Sequence, residues 1–297
     1  MSIEPKLVAV RVPASTSNLG SGFDTLGLAL ALYNTVQVAR SAGSGVRLVS
    51  AVTQEDRPAA TALVREASSL FFRRTGTKSF GLEIAVAGDV PVARGLGYSA
   101  TVRIGILAAL NKLTQAGLDR HQLLNLAVEL EGHPDNASPS IFGGFTVSGF
   151  VDGRVRCLRF PVSPRARFVT LIPRFKIRTR RARALMPKDY SRAAAAHALN
   201  RAALITAAFA SGDWEALRGV FDDCFHQPYR ERLIPQLSRV VGAGERAGSV
   251  GGFLSGSGSA IMCLTRARPQ AVAKAMQRQL PDSDVLFLSP DNDGLKP

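Results

Sequence analysis

An α+β fold in two lobes is what this chain predicts, and three observations predict it. Short valine-rich runs that alternate apolar and polar residues crowd the start of the chain. Long runs with helical spacing dominate its later half, and the change falls near residues 150–165. The division is set at 160/161, giving lobes of residues 1–160 and 161–297.

The elements follow in order. "KLVAVRV" at 6–12 alternates and reads as a strand, as do "TVQVAR" (35–40), "GVRLVS" (45–50) and "FGLEIAV" (80–86). A helix is expected over 59–73. In "SATVRIGILAALNKL" (99–113) apolar residues at 102, 106, 109, 110 and 113 share one helical face, with Gly117 as the stop. Asp119, with Gln122 three residues on, forms the start of another helix that runs to Glu131 and ends at Gly132. "VRCLRF" and "RFVTLI" follow as strands, then an alanine-rich helix over 191–211 closed by Gly212, with Asp213 capping the next element. "IPQLSRVVGAGERA" is amphipathic, "GGFLSGSGSAIMCL" reads as a Gly/Ser turn feeding a strand, and a helix near 269–280 and the strand "DVLFLS" complete the order.

Composition narrows the class. Apolar residues make up 46% and charged residues 20% of the 297, the balance of a packed globule. No apolar run reaches the roughly 18–20 residues a membrane span needs. "MSIEPKLVAV" lacks the basic and apolar regions of a secretory signal. Cys157, Cys224 and Cys263 form no C-x-x-C pair, so they read as core thiols in a reducing cytoplasm. The net charge of +14 favours anionic partners. The arginines are scattered except in "RTRRAR" (178–183), and no aromatic-basic interleaving points to nucleic acid.

Chemistry concentrates in four stretches. In "PVARGLGYSAT", Pro91, Val92, Ala93 and Arg94 lead into Gly95-Leu96-Gly97, and Tyr98, Ser99, Ala100 and Thr101 open the helix. Glycines before a helix start let an anion approach backbone N–H groups, and the helix dipole favours it. Ser99 and Thr101 add hydroxyls for a phosphate or a phosphate-bound Mg²⁺. The stretch is neither a Walker A loop nor a Rossmann turn; by itself it reads as an anion cradle, with a plain strand-to-helix turn as the alternative. "PASTSNLGSGFDTLGLAL" (13–30) is a polar, glycine-bearing loop with one acid, Asp24. "EGHPDNASPSIFGG" (131–144) sets polar groups at a helix exit, and "GGFLSGSGSAIM" (251–262) is a second glycine-rich turn.

Together with "TRRARALMP" and "HQPYR", these stretches resemble the GHMP kinases, the superfamily of galactose, homoserine, mevalonate and phosphomevalonate kinases, and within it the homoserine kinase family most closely. The likeness spans nearly the whole chain. It implies an N-terminal domain like domain 2 of ribosomal protein S5 and a ferredoxin-like C-terminal domain. It also implies ATP-dependent phosphorylation of the side-chain hydroxyl of L-homoserine to O-phospho-L-homoserine, a step towards threonine, with Mg²⁺ as the metal. Carried over by position, residues 91–101 hold ATP, beside a wall formed by 59–64. Ser99 and Glu131 hold the metal, with Glu129 as the rival acid. Asn18, Asp24, His133, Asn136, Arg183 and Arg230 meet the amino acid: Asp24 takes its ammonium, and the two arginines its carboxylate. Asn136 orients the hydroxyl without a strong protein base, and Asp135 is the alternative base; Arg183 is counted with them among the catalytic groups. The resemblance allows for a homodimer and for neither a nucleic-acid nor a membrane partner.

Two departures stand out. The family writes Ser where this chain has Tyr98. Its backbone N–H can serve the phosphate with the phenol turned away, its phenol can touch the nucleotide, or it can block the loop and leave a weak or inactive kinase. Near 258–260 relatives have Gly-Pro-Thr where this chain has "GSA".

Overall fold

The computed structural model describes residues 7–50 and 53–296, so Lys6 of the expected first strand lies outside the described residues. The first lobe is a six-stranded sheet built on one long strand. Strand β1 (Val8–Asn18) pairs antiparallel with β2 (Gly22–Ser41), which also carries β4 (Gly81–Gly88) along its second half and β5 (Phe145–Val151) along its first. Beyond these lie β3 (Val46–Leu48) and β6 (Arg154–Phe160), giving the order β3-β4-β2-β5-β6. Helices α1 (Arg57–Thr75), α2 (Tyr98–Thr114), α3 (Arg120–Glu131) and α4 (Ala137–Phe142) belong to the same lobe. Inward alternation of Val8, Val10, Val12, Val36, Val38 and Ile84 meets Val64, Phe71, Ile104, Leu107 and Leu124 from the helices to form its core.

The second lobe has the strand order β10-β7-β9-β8, from β7 (Arg167–Pro173), β8 (Gly251–Leu254), β9 (Ile261–Thr265) and β10 (Ser283–Leu288), all antiparallel. With α8 (Leu237–Arg246) between β7 and β8 and α9 (Pro269–Gln279) before β10, this is the ferredoxin-like arrangement. A separate apolar cluster lies where the sheets meet, with Leu28 and Phe145 from the first and Phe168 and Phe253 from the second, closed by Phe209 of α6 (Arg192–Ser211). Among the described residues no helix is long and apolar enough to cross a membrane.

Several elements differ from expectation. The stretch 13–18 is strand rather than loop; a bulge between Pro13 and Ala14 admits the proline, and Ser15, Thr16, Ser17 and Asn18 are buried. The β5 strand was not anticipated. Helix α2 ends at a left-handed Gln115, two residues before Gly117. Asp213 caps only a single 3₁₀ turn, accepting from Glu215 and Ala216 N–H. Gly251 and Gly252 lie in strand β8, paired with β9, rather than in a turn, and they are glycine because an added Cβ would strike Phe221 or Cys263. Cys263 is a core thiol, whereas Cys157 and Cys224 are only half-buried. By contrast, Asp119 and Gln122 form a full capping box, and Ser191 caps α6.

Candidate active site

A cavity of about 380 Å³ runs between the lobes. One wall is the loop before α2. Its carbonyls are all taken by neighbouring elements: Ala93 by Ile177 N–H at 3.2 Å, Arg94 by Ala260 N–H at 3.0 Å, Gly95 by Ser255 Oγ at 2.7 Å, and Leu96 by Ser15 N–H at 3.2 Å. In a planar peptide the N–H points opposite to the carbonyl. The amides of 94–97 therefore turn from these partners, and the free N–H groups of the first turn of α2 add to them. Gly97, at φ +74°, must be glycine, since a Cβ would lie 2.3 Å from Ser15 Oγ. Gly95 is as constrained, with Ser255 O at 2.1 Å. The 255–260 turn thus buttresses the loop. Arg94 donates to Arg174 O at 2.6 Å and, among the described residues, leaves a buried Nη1 without a partner.

Val92, Ala93, Arg94, Gly95, Gly97, Tyr98 and Ser99 line the cavity, opposite Ala59, Ala60 and Leu63 of α1. Pro91, Leu96, Ala100 and Thr101 support the loop without lining it. Thr101 corrects an expectation: its hydroxyl is buried, donates to Tyr98 O at 2.8 Å and accepts from Asn34 Nδ2 at 2.8 Å, so it is not offered to a phosphate. Tyr98 is half-buried and packs against two of the apolar clusters at once, and burial raises the pKa of its phenol.

Ser99 Oγ donates to Glu131 Oε2 at 3.0 Å, while Arg103 holds Oε1 at 2.7 Å. Glu129 is on the surface, bound by Arg74 at 2.7 Å, and takes no part in the cavity. Ser99 and Glu131 are hard oxygen donors converging at the cavity wall, a set that fits a magnesium ion.

At the other end, Arg183 of α5 (Thr179–Arg183) forks onto Asp24 at 3.0 and 2.6 Å. Asn18 sets Asp24: its Oδ1 accepts Asp24 N–H at 3.1 Å, and its Nδ2 donates to Gly256 O at 3.1 Å. His133 Nδ1 meets Asp135 Oδ1 at 2.5 Å. Burial opposes ionisation of both, and their mutual bond outweighs it, raising the His133 pKa and lowering that of Asp135. Asn136 accepts from Ser15 Oγ and donates to Ser17 Oγ, each at 3.0 Å.

Arg230, on α7 (Gln227–Arg230), is 2% exposed and has no carboxylate within salt-bridge distance among the described residues. Burial, with Arg183 adding to it, pulls its pKa down to about 10. His226 Nε2–H donates to Gly20 O at 2.8 Å, which leaves Nδ1 to accept from Arg230 Nη1 at 3.2 Å; burial keeps this imidazole neutral. Gly256 O takes Nη1 at 2.9 Å, Met186 sulfur lies 3.7 Å from Nη2, and Nε has no partner. Among the described residues the Nε/Nη2 edge therefore has no anion: Nε is buried without a hydrogen-bond partner and Nη2 meets only a thioether sulfur. Phe23 lies under both arginines, 5.1 Å from Arg183 and 5.3 Å from Arg230. Asp223 accepts the N–H groups of Phe225, His226 and Gln227 and so fixes the start of α7. Phe23, Arg103, Asp223 and His226 were not anticipated, although three of them stand beside motif residues in "GFD" and "DDCFHQPYR".

Two family models match the chain: "GHMP kinases N terminal domain" over residues 62–144 and "GHMP kinases C terminal" over 205–282. The fold is that of the GHMP kinases, and the chain is an ATP-dependent small-molecule kinase. Homoserine kinase of Clostridium beijerinckii is 36% identical over 296 residues, covering 97% of both chains. That of Carboxydothermus hydrogenoformans is 36% identical over 300 residues, 97% of this chain and 96% of its own. The chain belongs to the homoserine kinase family of the GHMP kinases. The crystal structure of homoserine kinase from Cytophaga hutchinsonii superposes with a TM-score of 0.88 at 26% identity, covering 100% of this chain and 98% of that one. L. major mevalonate kinase in complex with R-mevalonate shares the fold, with a TM-score of 0.74 at 14% identity and 97% coverage of each.

Proposed function

We propose that the protein transfers the γ-phosphoryl group of ATP to the side-chain hydroxyl of L-homoserine. The observation that carries this reading is Arg230. A guanidinium buried to 2% exposure without a carboxylate partner is costly unless a ligand supplies the anion. Beside it, Asp24 offers a carboxylate held by Arg183. One pocket therefore provides for both charges of an amino acid, which a sugar or mevalonate does not need.

In this reading residues 1–160 carry the ATP loop, and 161–297 supply Arg183 and Arg230. Adenine lies towards Ala59, Ala60 and Leu63, and the phosphates lie on the amides of the 94–99 stretch. Ser99 and Glu131 would hold Mg²⁺, which neutralises phosphate charge when bound. The chain's own part is alignment more than covalent chemistry. Asp24 and Arg183 with Arg230 fix the two ends of the amino acid. Asn136, held by Ser15 and Ser17, orients the hydroxyl for in-line attack. Asp135, committed to His133, acts as its support rather than as a base. Tyr98 binds through its backbone while its ring fills the seam between clusters.

The deciding experiment is ADP release from Mg·ATP with L-homoserine, L-threonine, L-serine, mevalonate or no acceptor. Stimulation by homoserine above all others is expected. Equal stimulation by mevalonate would overturn the amino-acid reading, and no stimulation by any acceptor would overturn the kinase reading of this pocket.

A further inference from the structure

We propose that Arg103 is a positioning residue for the divalent cation: it orients Glu131 and cancels its charge, so that the ion is captured only together with the nucleotide's phosphates. The proposal rests on the reading of Ser99 and Glu131 as the ion's ligands.

Ser99 and Arg103 stand four residues apart on α2 and therefore share one face. Glu131 is the last residue of α3, and both side chains reach its carboxylate. Arg103 Nη1 binds Oε1 at 2.7 Å and Ser99 Oγ binds Oε2 at 3.0 Å, so each oxygen already has one donor. The ion pair is sheltered: the side chains are 13% and 7% exposed. The other arm of the guanidinium, Nη2, reaches Glu66 Oε2 on α1 at 2.9 Å, so one planar group ties three helices. Glu66 is 54% exposed and would be well solvated alone, whereas Glu131 would not.

This arrangement has a consequence for the metal. One carboxylate and one hydroxyl carry a single negative charge, and Arg103 neutralises it at contact distance. Glu66, the second partner of the guanidinium, is exposed and screened by solvent, so at the cavity wall a free divalent ion meets a hydroxyl and a carboxylate already paired with a cation. Nucleotide phosphates reverse that balance. The pair also limits the carboxylate to its outward lone pairs, which aims it at the incoming ion.

Mn²⁺ alone is the probe, its free concentration read by electron paramagnetic resonance without nucleotide. R103M, and R103Q, which keeps a hydrogen bond to Glu131, are expected to bind Mn²⁺ at least about ten-fold more tightly than the unaltered protein. The double variant R103Q/E131Q should lose that gain. R103K, which keeps the charge, should behave like the unaltered protein. Binding by R103M and R103Q that is equal to or weaker than that of the unaltered protein would overturn the proposal. The underlying reading is tested separately with Mn·ADP. If E131Q leaves Mn²⁺ affinity in that complex unchanged, Glu131 is not a ligand and both fall. If E131Q weakens it while R103Q has no effect on free Mn²⁺, only the Arg103 proposal falls.

Discussion

At the scale of single residues, the cavity is a set of charges whose partners decide what remains for a ligand. Arg230 keeps its Nε/Nη2 edge because His226 and Gly256 hold Nη1. R230K retains the charge and loses the fork. It should raise the KM for homoserine by on the order of 10²-fold, about 3 kcal/mol, with the KM for ATP nearly unchanged. The His133–Asp135 pair sets a pH dependence. The raised His133 pKa means its contribution to stability is complete below the ordinary value of 6.5 and is lost as pH climbs through the folded pKa. The lowered Asp135 pKa means its contribution holds above 3.8 and is lost as pH falls through the folded value. The stability difference between the unaltered protein and D135N, from urea unfolding, should therefore shrink as pH rises above 6.5 through the raised folded pKa of His133. A constant difference would show that the pair is not ionic. Tyr98 belongs here too. Because its ring spans two clusters, Y98S should lower stability by about 2–3 kcal/mol and leave ATP affinity within about three-fold. A gain in turnover instead would mean that the phenol obstructs the loop.

At the scale of elements, α2 is the organising piece. Its first turn lines the cavity through Tyr98 and Ser99, and its core face packs on β1 and β2 through Ile104, Leu107 and Leu110. The turn can sit so close to β1 only because Gly97 lacks a Cβ. G97A combines a left-handed backbone with a clash against Ser15 Oγ, and Ser15 also holds Asn136. Its expected outcome is loss of nucleotide binding by calorimetry, together with a stability cost of about 1–3 kcal/mol. A variant that binds ATP normally would show that the loop can retreat from β1. Strand β1 shows why the polar stretch 13–18 is not a loop. Thr16 pairs with Ser255 at 2.8 Å, and Ser15 and Ser17 with Asn136. Those partners lie more than a hundred residues away, so nothing in the local pattern announces them.

At the scale of the whole molecule, the chain's end returns to the first lobe. Leu295 is buried in the first core, Arg11 and Lys296 exchange backbone hydrogen bonds at 2.9 and 3.0 Å, and Tyr33 OH donates to Asp291 at 2.7 Å. Burial and that carboxylate push the Tyr33 pKa up to about 12. Removing residues 289–297 should lower the thermal midpoint by several degrees and should destabilise the first lobe, although the deletion lies at the far end of the chain. Hydrogen exchange would locate the loss: faster exchange in β1 and β2 is expected, and exchange quickened only in β10 would refute the coupling.

Periodicity in the sequence determined most of the elements, because a buried face imposes its spacing on whatever residues occupy it. Helices α2, α3 and α6 were readable for that reason, as were the capping box of α3 and the closing glycines of α3 and α6, since caps and apolar stripes are local. The short motifs likewise carried the family resemblance, because glycine before a helix start and a Ser, an Asp or a Glu at fixed offsets can be read without knowing the fold. The tertiary structure alone decided which of those groups are free. It turned Thr101 inward, set Glu129 on the surface and placed Arg103 on Glu131. It also joined Asp24 to Arg183 and left Arg230 without a carboxylate among the described residues. Each of these outcomes depends on a partner from a distant segment. Whether a charge is satisfied is a property of the space around it, and that space exists only once the lobes have closed on each other.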